Sequence, residues 1–156
     1  LSVGAPMLGI NNRSLRTFVT ALDTTIALQR LIFDGVLDKF PKLKILAAHG
    51  GGYFPSYAPR SNISCFVSPQ NCDPNIVLKK KPTEYLNQLF FDALVFTPEA
   101  LRHLVAQVGS SQVMLGTDHP IPWEDHPVDH VLNTPSLSSA DRAAILGENA
   151  QRLLQL

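Results

Sequence analysis

Two short segments carry ionisable residues at positions where α/β proteins do chemistry. Ile45-Leu46-Ala47-Ala48-His49 runs into Gly50-Gly51-Gly52, and Val113-Met114-Leu115-Gly116-Thr117-Asp118 runs into His119-Pro120. Each is an apolar run that ends in a polar residue and then breaks into Gly or Pro. A continuous apolar run is what a parallel strand covered on both faces requires. Reactive side chains sit just past the carboxyl ends of such strands. His49 and Asp118 are therefore expected to face one pocket. An imidazole there can move protons near neutral pH. A carboxylate there must be paired, hydrogen-bonded or held on a metal, because burying it bare is costly.

Each residue also has a plainer reading. His49 fits a half-buried histidine at a tight turn, and Asp118 fits a turn or cap residue before Pro120. The three glycines permit close approach of backbone or ligand and leave N–H groups for an anion. His119 neighbours Asp118, but adjacent strand residues point to opposite faces. Asp92 lies within a third apolar run, Leu89 to Val95, and reads as a core carboxylate bonded to backbone. Arg60, eleven residues after His49, reads alone as a surface arginine. His103 reads as a rim residue. His126 and His130 stand at i, i+4, a spacing that can hold a metal on a helix but here lacks a third ligand. No phosphate loop, dinucleotide fingerprint, Gly-x-Ser-x-Gly or Cys-x-x-Cys occurs.

The elements that would position these residues alternate. Residues 1 to 19 read as loop, with Gly4, Pro6, Gly9, Asn11 and Asn12. Thr20 to Lys39 reads as one helix with Leu28, Leu31, Ile32 and Val36 on a stripe, ended by Phe40-Pro41. A turn leads to the strand ending at His49. A helical turn through Arg60 and a polar loop over 61 to 81 follow. The strand Leu89 to Val95 precedes a helix that Thr97-Pro98-Glu99 starts and Gly109 stops. The strand Val113 to Thr117 comes next, then a Pro-rich turn and a short helix near 127 to 133. Two last helices follow, the first capped by Ser138 or Ser139 and ending at Gly147. This order implies parallel strands joined by crossover helices.

Composition narrows the class. The chain has 156 residues, about one domain, with 45 % apolar and 17 % charged residues. Thirteen basic residues balance thirteen acidic ones, so no nucleic-acid surface is expected. Lys79-Lys80-Lys81 reads as a solvated turn. Cys65 and Cys72, the two cysteines, are expected as free thiols of a cytoplasmic chain, although a disulfide closing the loop between them is possible. No run is long enough to span a membrane. The start at Leu1 suggests a fragment or processed product.

Three segments in order also resemble a known family. Lys42 to Gly52, Gly116 to Trp123 and Gly147-Glu148-Asn149-Ala150-Gln151-Arg152-Leu153-Leu154 are similar to the amidohydrolase superfamily, in the branch of aminocarboxymuconate semialdehyde decarboxylase and related aromatic-acid decarboxylases. The resemblance covers the chain from about Ala21 onward. It implies a (β/α)8 barrel with one divalent metal, usually zinc, at the carboxyl face. The family's ligands are a His-x-His pair on the first strand, a His on the fifth and an Asp on the eighth. On this pattern Asp118 is the eighth-strand ligand and His49 the sixth-strand histidine, which transfers protons and is not a ligand. Arg60 matches an arginine that reaches a neighbouring subunit's site to hold a substrate carboxylate.

The other three ligands are not in this sequence. The resemblance therefore implies that residues 1–156 are the C-terminal part of a barrel, about strands six to eight, with the N-terminal half absent. The expected activity is metal-dependent, non-oxidative decarboxylation of a small unsaturated or aromatic acid in a homo-oligomer, a dimer. Alternatives are hydrolysis on the same scaffold or a non-catalytic remnant. By itself the chain is expected to be inactive and to hold metal weakly or not at all.

Overall fold

Three runs of branched and aromatic residues form one sheet. The computed structural model describes residues 13–122 and 124–156. Within them β1 (Ile45–Ala47), β2 (Leu89–Asp92) and β3 (Val113–Met114) lie parallel in the order β1-β2-β3. Ile45 stands opposite Leu89, and Phe91 opposite Val113. The central strand pairs with both neighbours, and its Leu89 and Phe91 are fully buried. The strands are shorter than their apolar runs. After Asp92 the Ala93 N–H still bonds to the Met114 carbonyl, but the Leu94 N–H bonds to the Asp92 side chain. After Met114 the Leu115 N–H leaves the sheet for the Ile145 carbonyl. The ladder ends because other acceptors take over its donors.

Parallel neighbours need a crossover. Between β2 and β3 it is the helix Pro98–Val108. Its start matches expectation: the Thr97 hydroxyl accepts from the Ala100 N–H at 3.1 Å, and Pro98 takes the first turn. Leu101, Leu104 and Val108 form its buried face, and Gly109 at φ 84° ends it. Helices Pro127–Asn133, Ser139–Ala143 and Asn149–Leu154 complete this part. The last two are not separated at Gly147 as the pattern suggested. A π-helical turn, Ala144–Glu148, carries the chain from one into the other. Lys44–Gly50 and Leu89–Leu156 make up this compact unit.

The second unit takes in the residues up to Leu43 and Gly51–Gln88. The expected helix over 20 to 39 is two helices, Arg13–Phe33 and Val36–Lys39. Gly35 at φ 69° breaks them, a left-handed conformation that glycine adopts without penalty. The first helix also starts well before Thr20, in a stretch read as loop. The loop expected for residues 1–12 lies outside the described residues. Helix Phe54–Ser61 has Pro55 in its first turn, where its missing N–H costs nothing. Leu28, Ile32, Leu37, Phe54, Ala58 and Tyr85 are buried in this unit.

The segment after Arg60 corrects two expectations. It is not structureless: a one-turn helix, Ser64–Val67, and a 3-10 turn, Pro69–Asn71, fold it back on itself. That return brings Cys65 and Cys72 together as a disulfide, in place of the expected free thiols. Further along, the Lys79 N–H donates to Asp38, and the Lys80 ammonium stands 4.7 Å from the centre of the Tyr85 ring. The basic run is thus anchored rather than merely solvated. Among the described residues no helix is long and apolar enough to cross a membrane.

Helix Ser139–Ala143 opens on a capping box. The Ser138 hydroxyl accepts from the Asp141 N–H at 3.1 Å, and the Asp141 carboxylate accepts from the Ser138 N–H at 3.0 Å. Hydrogen bonds from the Ser110 hydroxyl, then from Ser138, hold the Asp141 carboxyl below its usual range. Ser138→Ala is expected to cost about 1 kcal/mol in urea unfolding. Because the folded-state pKa of Asp141 is depressed, its contribution is present above the ordinary carboxylate pKa and lost as pH falls through the lowered one. The difference between wild type and Ser138→Ala should therefore shrink on acidification below that range.

Candidate active site

His49 and Asp118 meet at the carboxyl end of the sheet, past β1 and β3. Their closest atoms, His49 Nε2 and Asp118 Oδ2, are 3.6 Å apart, and the side chains are 29 % and 33 % exposed. That separation is an ion-pair distance, longer than a hydrogen bond. Neither group is sealed off, so a ligand can reach both. The two residues share a second property. Both have left-handed backbones, at φ 55° for His49 and 57° for Asp118. Non-glycine residues rarely adopt this conformation, and it persists only where surrounding structure over-determines it.

For His49 that surrounding structure is Asp92. One carboxylate oxygen accepts from the His49 N–H at 2.9 Å, and the other accepts from the Gly50 N–H at 3.0 Å and the Leu94 N–H at 3.1 Å. Asp92 is thus the backbone-bonding carboxylate the sequence suggested, and it holds the end of β1 against the end of β2. The glycine N–H at position 50 is thereby used internally and is not left for an anion. Gly50 sits at φ 60°, and a Cβ there would lie 2.5 Å from the Val95 side chain. Gly116 is needed for a different reason: a Cβ there would lie 2.7 Å from the Asp92 Cβ. The chain leading to Asp118 can pass Asp92 only as glycine.

The loop beyond is locally bonded. The His119 N–H donates to the Thr117 hydroxyl and the Ile121 N–H to the Asp118 carbonyl, and His119-Pro120 is a cis peptide. β3 has already ended at Met114, so strand alternation does not govern Asp118 and His119; His119 is exposed. His126 precedes helix Pro127–Asn133 and is exposed, while His130 is half-buried within it. His103 is exposed on its helix. Arg60 belongs to the other unit, exposed at the end of helix Phe54–Ser61, where it lines two open clefts of about 560 and 520 Å³.

Sequence reasoning missed the role of Asn149. This fully buried side chain donates from Nδ2 to the Ser110 and Val113 carbonyls, each at 2.7 Å, and its Oδ1 accepts from Arg152 at 3.0 Å. It ties the last helix to the start of β3. The Glu148-Asn149-Ala150 motif is therefore structural. An Asn inside an apolar helical stripe is the signal that could have shown it, since a buried amide needs partners.

A metal centre needs three or more donors. Among the described residues no group of three or more His, Cys, Asp or Glu side chains is placed to hold a metal. Asp118 and His49 supply two at most. The residues described here do not make a metal site by themselves.

The amidohydrolase family model matches residues 5–156. A 2-amino-3-carboxymuconate-6-semialdehyde decarboxylase from Dictyostelium discoideum is 36 % identical over 135 residues, covering 86 % of this chain and 37 % of its own. A gamma-resorcylate decarboxylase from Polaromonas sp. (strain JS666 / ATCC BAA-500) is 30 % identical, covering 90 % of this chain and 43 % of its own. The crystal structure of a dihydroxybenzoic acid decarboxylase from Polaromonas sp. JS666, with bound manganese and the inhibitor 2-nitroresorcinol, superposes with a TM-score of 0.81. It is 28 % identical, with all of this chain and 47 % of that one covered. The chain spans between a third and a half of the length of these relatives.

The Asp92 clasp yields a stability test. Asp92→Asn replaces one acceptor oxygen with a donor group facing a backbone N–H, which should cost about 1–3 kcal/mol. Gly116→Ala drives a methyl into Asp92 and should cost a similar amount, about 1–3 kcal/mol. Denaturant midpoints measure both. An unchanged midpoint for Gly116→Ala would show that the chain passes Asp92 less closely than described.

Proposed function

This chain belongs to the amidohydrolase family, and from that premise we propose that it is the C-terminal part of a non-oxidative decarboxylase acting on a small unsaturated or aromatic carboxylic acid. The observation that carries the reading is the His49–Asp118 pair, 3.6 Å apart at the carboxyl end of parallel strands with both backbones in the left-handed region. On this reading the three strands are strands six to eight of a (β/α)8 barrel, and the preceding strands belong to residues outside this sequence. The setting is cytoplasmic, the assembly a homodimer.

The chemistry asks little of the protein. When carbon dioxide leaves, the electron pair of the broken C–C bond stays on the carbon that carried the carboxyl group. That carbon needs a proton. Protonated His49 supplies it from Nε2, a role suited to an imidazole at neutral pH. Asp92 fixes the backbone from which the ring projects. On the family pattern Arg60 of one subunit holds a substrate carboxylate in the neighbouring subunit's site, through its planar fork of N–H donors. A divalent metal, zinc or manganese, would supply positive charge to polarise a substrate oxygen. Asp118 would be this chain's contribution to holding it, the other ligands lying outside this sequence.

Two measurements test this reading. In the complete barrel, His49→Ala should lower decarboxylation by about 10²–10⁴-fold and keep its metal, whereas Asp118→Ala should lose both. Arg60→Ala should raise KM for carboxylate substrates more than it lowers kcat. If His49→Ala loses metal as fully as Asp118→Ala, His49 is a ligand and hydrolysis on this scaffold becomes the better reading. Separately, residues 1–156 expressed alone should retain no stoichiometric zinc or manganese through dialysis, because too few ligands are present. Retention of one equivalent would overturn the proposed division of ligands.

A further inference from the structure

We propose that Cys65 and Cys72 form a thiol–disulfide switch that sets the wall of the cleft containing Arg60. The cleft of about 560 Å³ lies within one unit and is lined on one side by Ile26 and Arg30, and on the other by Arg60, Val67 and Cys72. The second side is held in place by very little. Helix Ser64–Val67 buries no side chain. Ile63, Phe66 and Val67 are 57 %, 87 % and 67 % exposed, so this segment gains almost nothing from apolar burial. From Val67 to Ile76 the described hydrogen bonds stay inside the segment: Val67 N–H to Ile63, Ser68 to Ser64, Cys72 to Pro69 and Ile76 to Asp73. Anchors to the rest of the unit lie at its two ends, where Asn62 pairs with Thr83 and the Lys79 N–H meets Asp38. Within the segment the covalent tie is the Cys65–Cys72 bond.

A segment with few buried contacts opens locally at low cost. Removing its cross-link frees Val67, Ser68 and Cys72, which are cleft wall. Both cysteines are half-buried rather than sealed, so a small thiol can reach them. The switch needs an external dithiol. Its thiolate attacks one protein sulfur, breaking the S–S bond and forming a mixed disulfide. Its second thiol then displaces the protein sulfur. The dithiol ends as a disulfide, and its two electrons and two protons end on Cys65 and Cys72 as thiols. In a cytoplasmic setting thiols are mostly kept reduced, and the disulfides that form are transient or redox-sensing. The consequence for substrate binding rests on the reading of Arg60 above; the movement of the wall does not.

The test is hydrogen–deuterium exchange on the full-length protein, with and without dithiothreitol, with the redox state confirmed by alkylation and mass. Reduction should speed exchange over residues 63–76 by about tenfold or more and leave residues 89–115 unchanged. A Cys65→Ser/Cys72→Ser double variant should exchange fast without reductant and not respond to it. Unchanged exchange on confirmed reduction overturns the switch, as do two free thiols in protein prepared in air. A severalfold rise in KM for a carboxylate substrate on reduction, with kcat retained, supports the link to Arg60. A changed exchange pattern with unchanged KM supports the switch and overturns the role given to Arg60.

Discussion

One carboxylate, Asp92, sets the geometry of the sheet's carboxyl end. It accepts three backbone N–H groups from two strand ends, at His49, Gly50 and Leu94. Charge-assisted bonds of this kind are stronger than neutral ones, and each satisfies a donor that the end of a strand would leave unpaired. Without them His49 would not be kept in a left-handed backbone conformation. Gly116 is drawn into the same constraint, because the segment that delivers Asp118 must pass directly over this side chain. A residue with no proposed contact to substrate thus places both residues proposed to act.

The cost of that placement is local. His49 and Asp118 each occupy a backbone region worth about 1–3 kcal/mol of strain. Elsewhere in the unit Thr97, Pro98 and Ser138 are locally consistent choices, while Phe96, Ser136 and Gln155 also take positive φ. Two of the five non-glycine residues with positive φ among the described residues are the ionisable pair itself.

What was legible in the sequence follows the range over which each interaction acts. Thr97 and Ser138 are legible as caps because cap and partner lie three residues apart. The convergence of His49 and Asp118 is legible because both end apolar runs, and parallel strands bring such ends together. Asp92 is legible as a backbone-bonding carboxylate, but two of its donors lie more than forty positions away, and nothing in the local pattern names them. The short strands were hidden for a similar reason: Leu115 finds its acceptor at Ile145, which no periodicity reveals. The disulfide is not legible locally, since the fold-back between Cys65 and Cys72 depends on turns that polar loop residues do not announce. Arg60 owes its proposed role to the family resemblance; its own neighbourhood in sequence is that of any exposed arginine.

The buried amide of Asn149 has a consequence for how such chains are recognised. The segment around it is one of three by which this sequence resembles its family, yet its work is to close the Ser110 and Val113 carbonyls. Selection on that motif is selection for architecture. A variant without the ionisable pair would still need this amide to satisfy those two carbonyls. The motif therefore reports architecture, and the proposed chemistry rests instead on His49, Asp118 and the carboxylate beneath them.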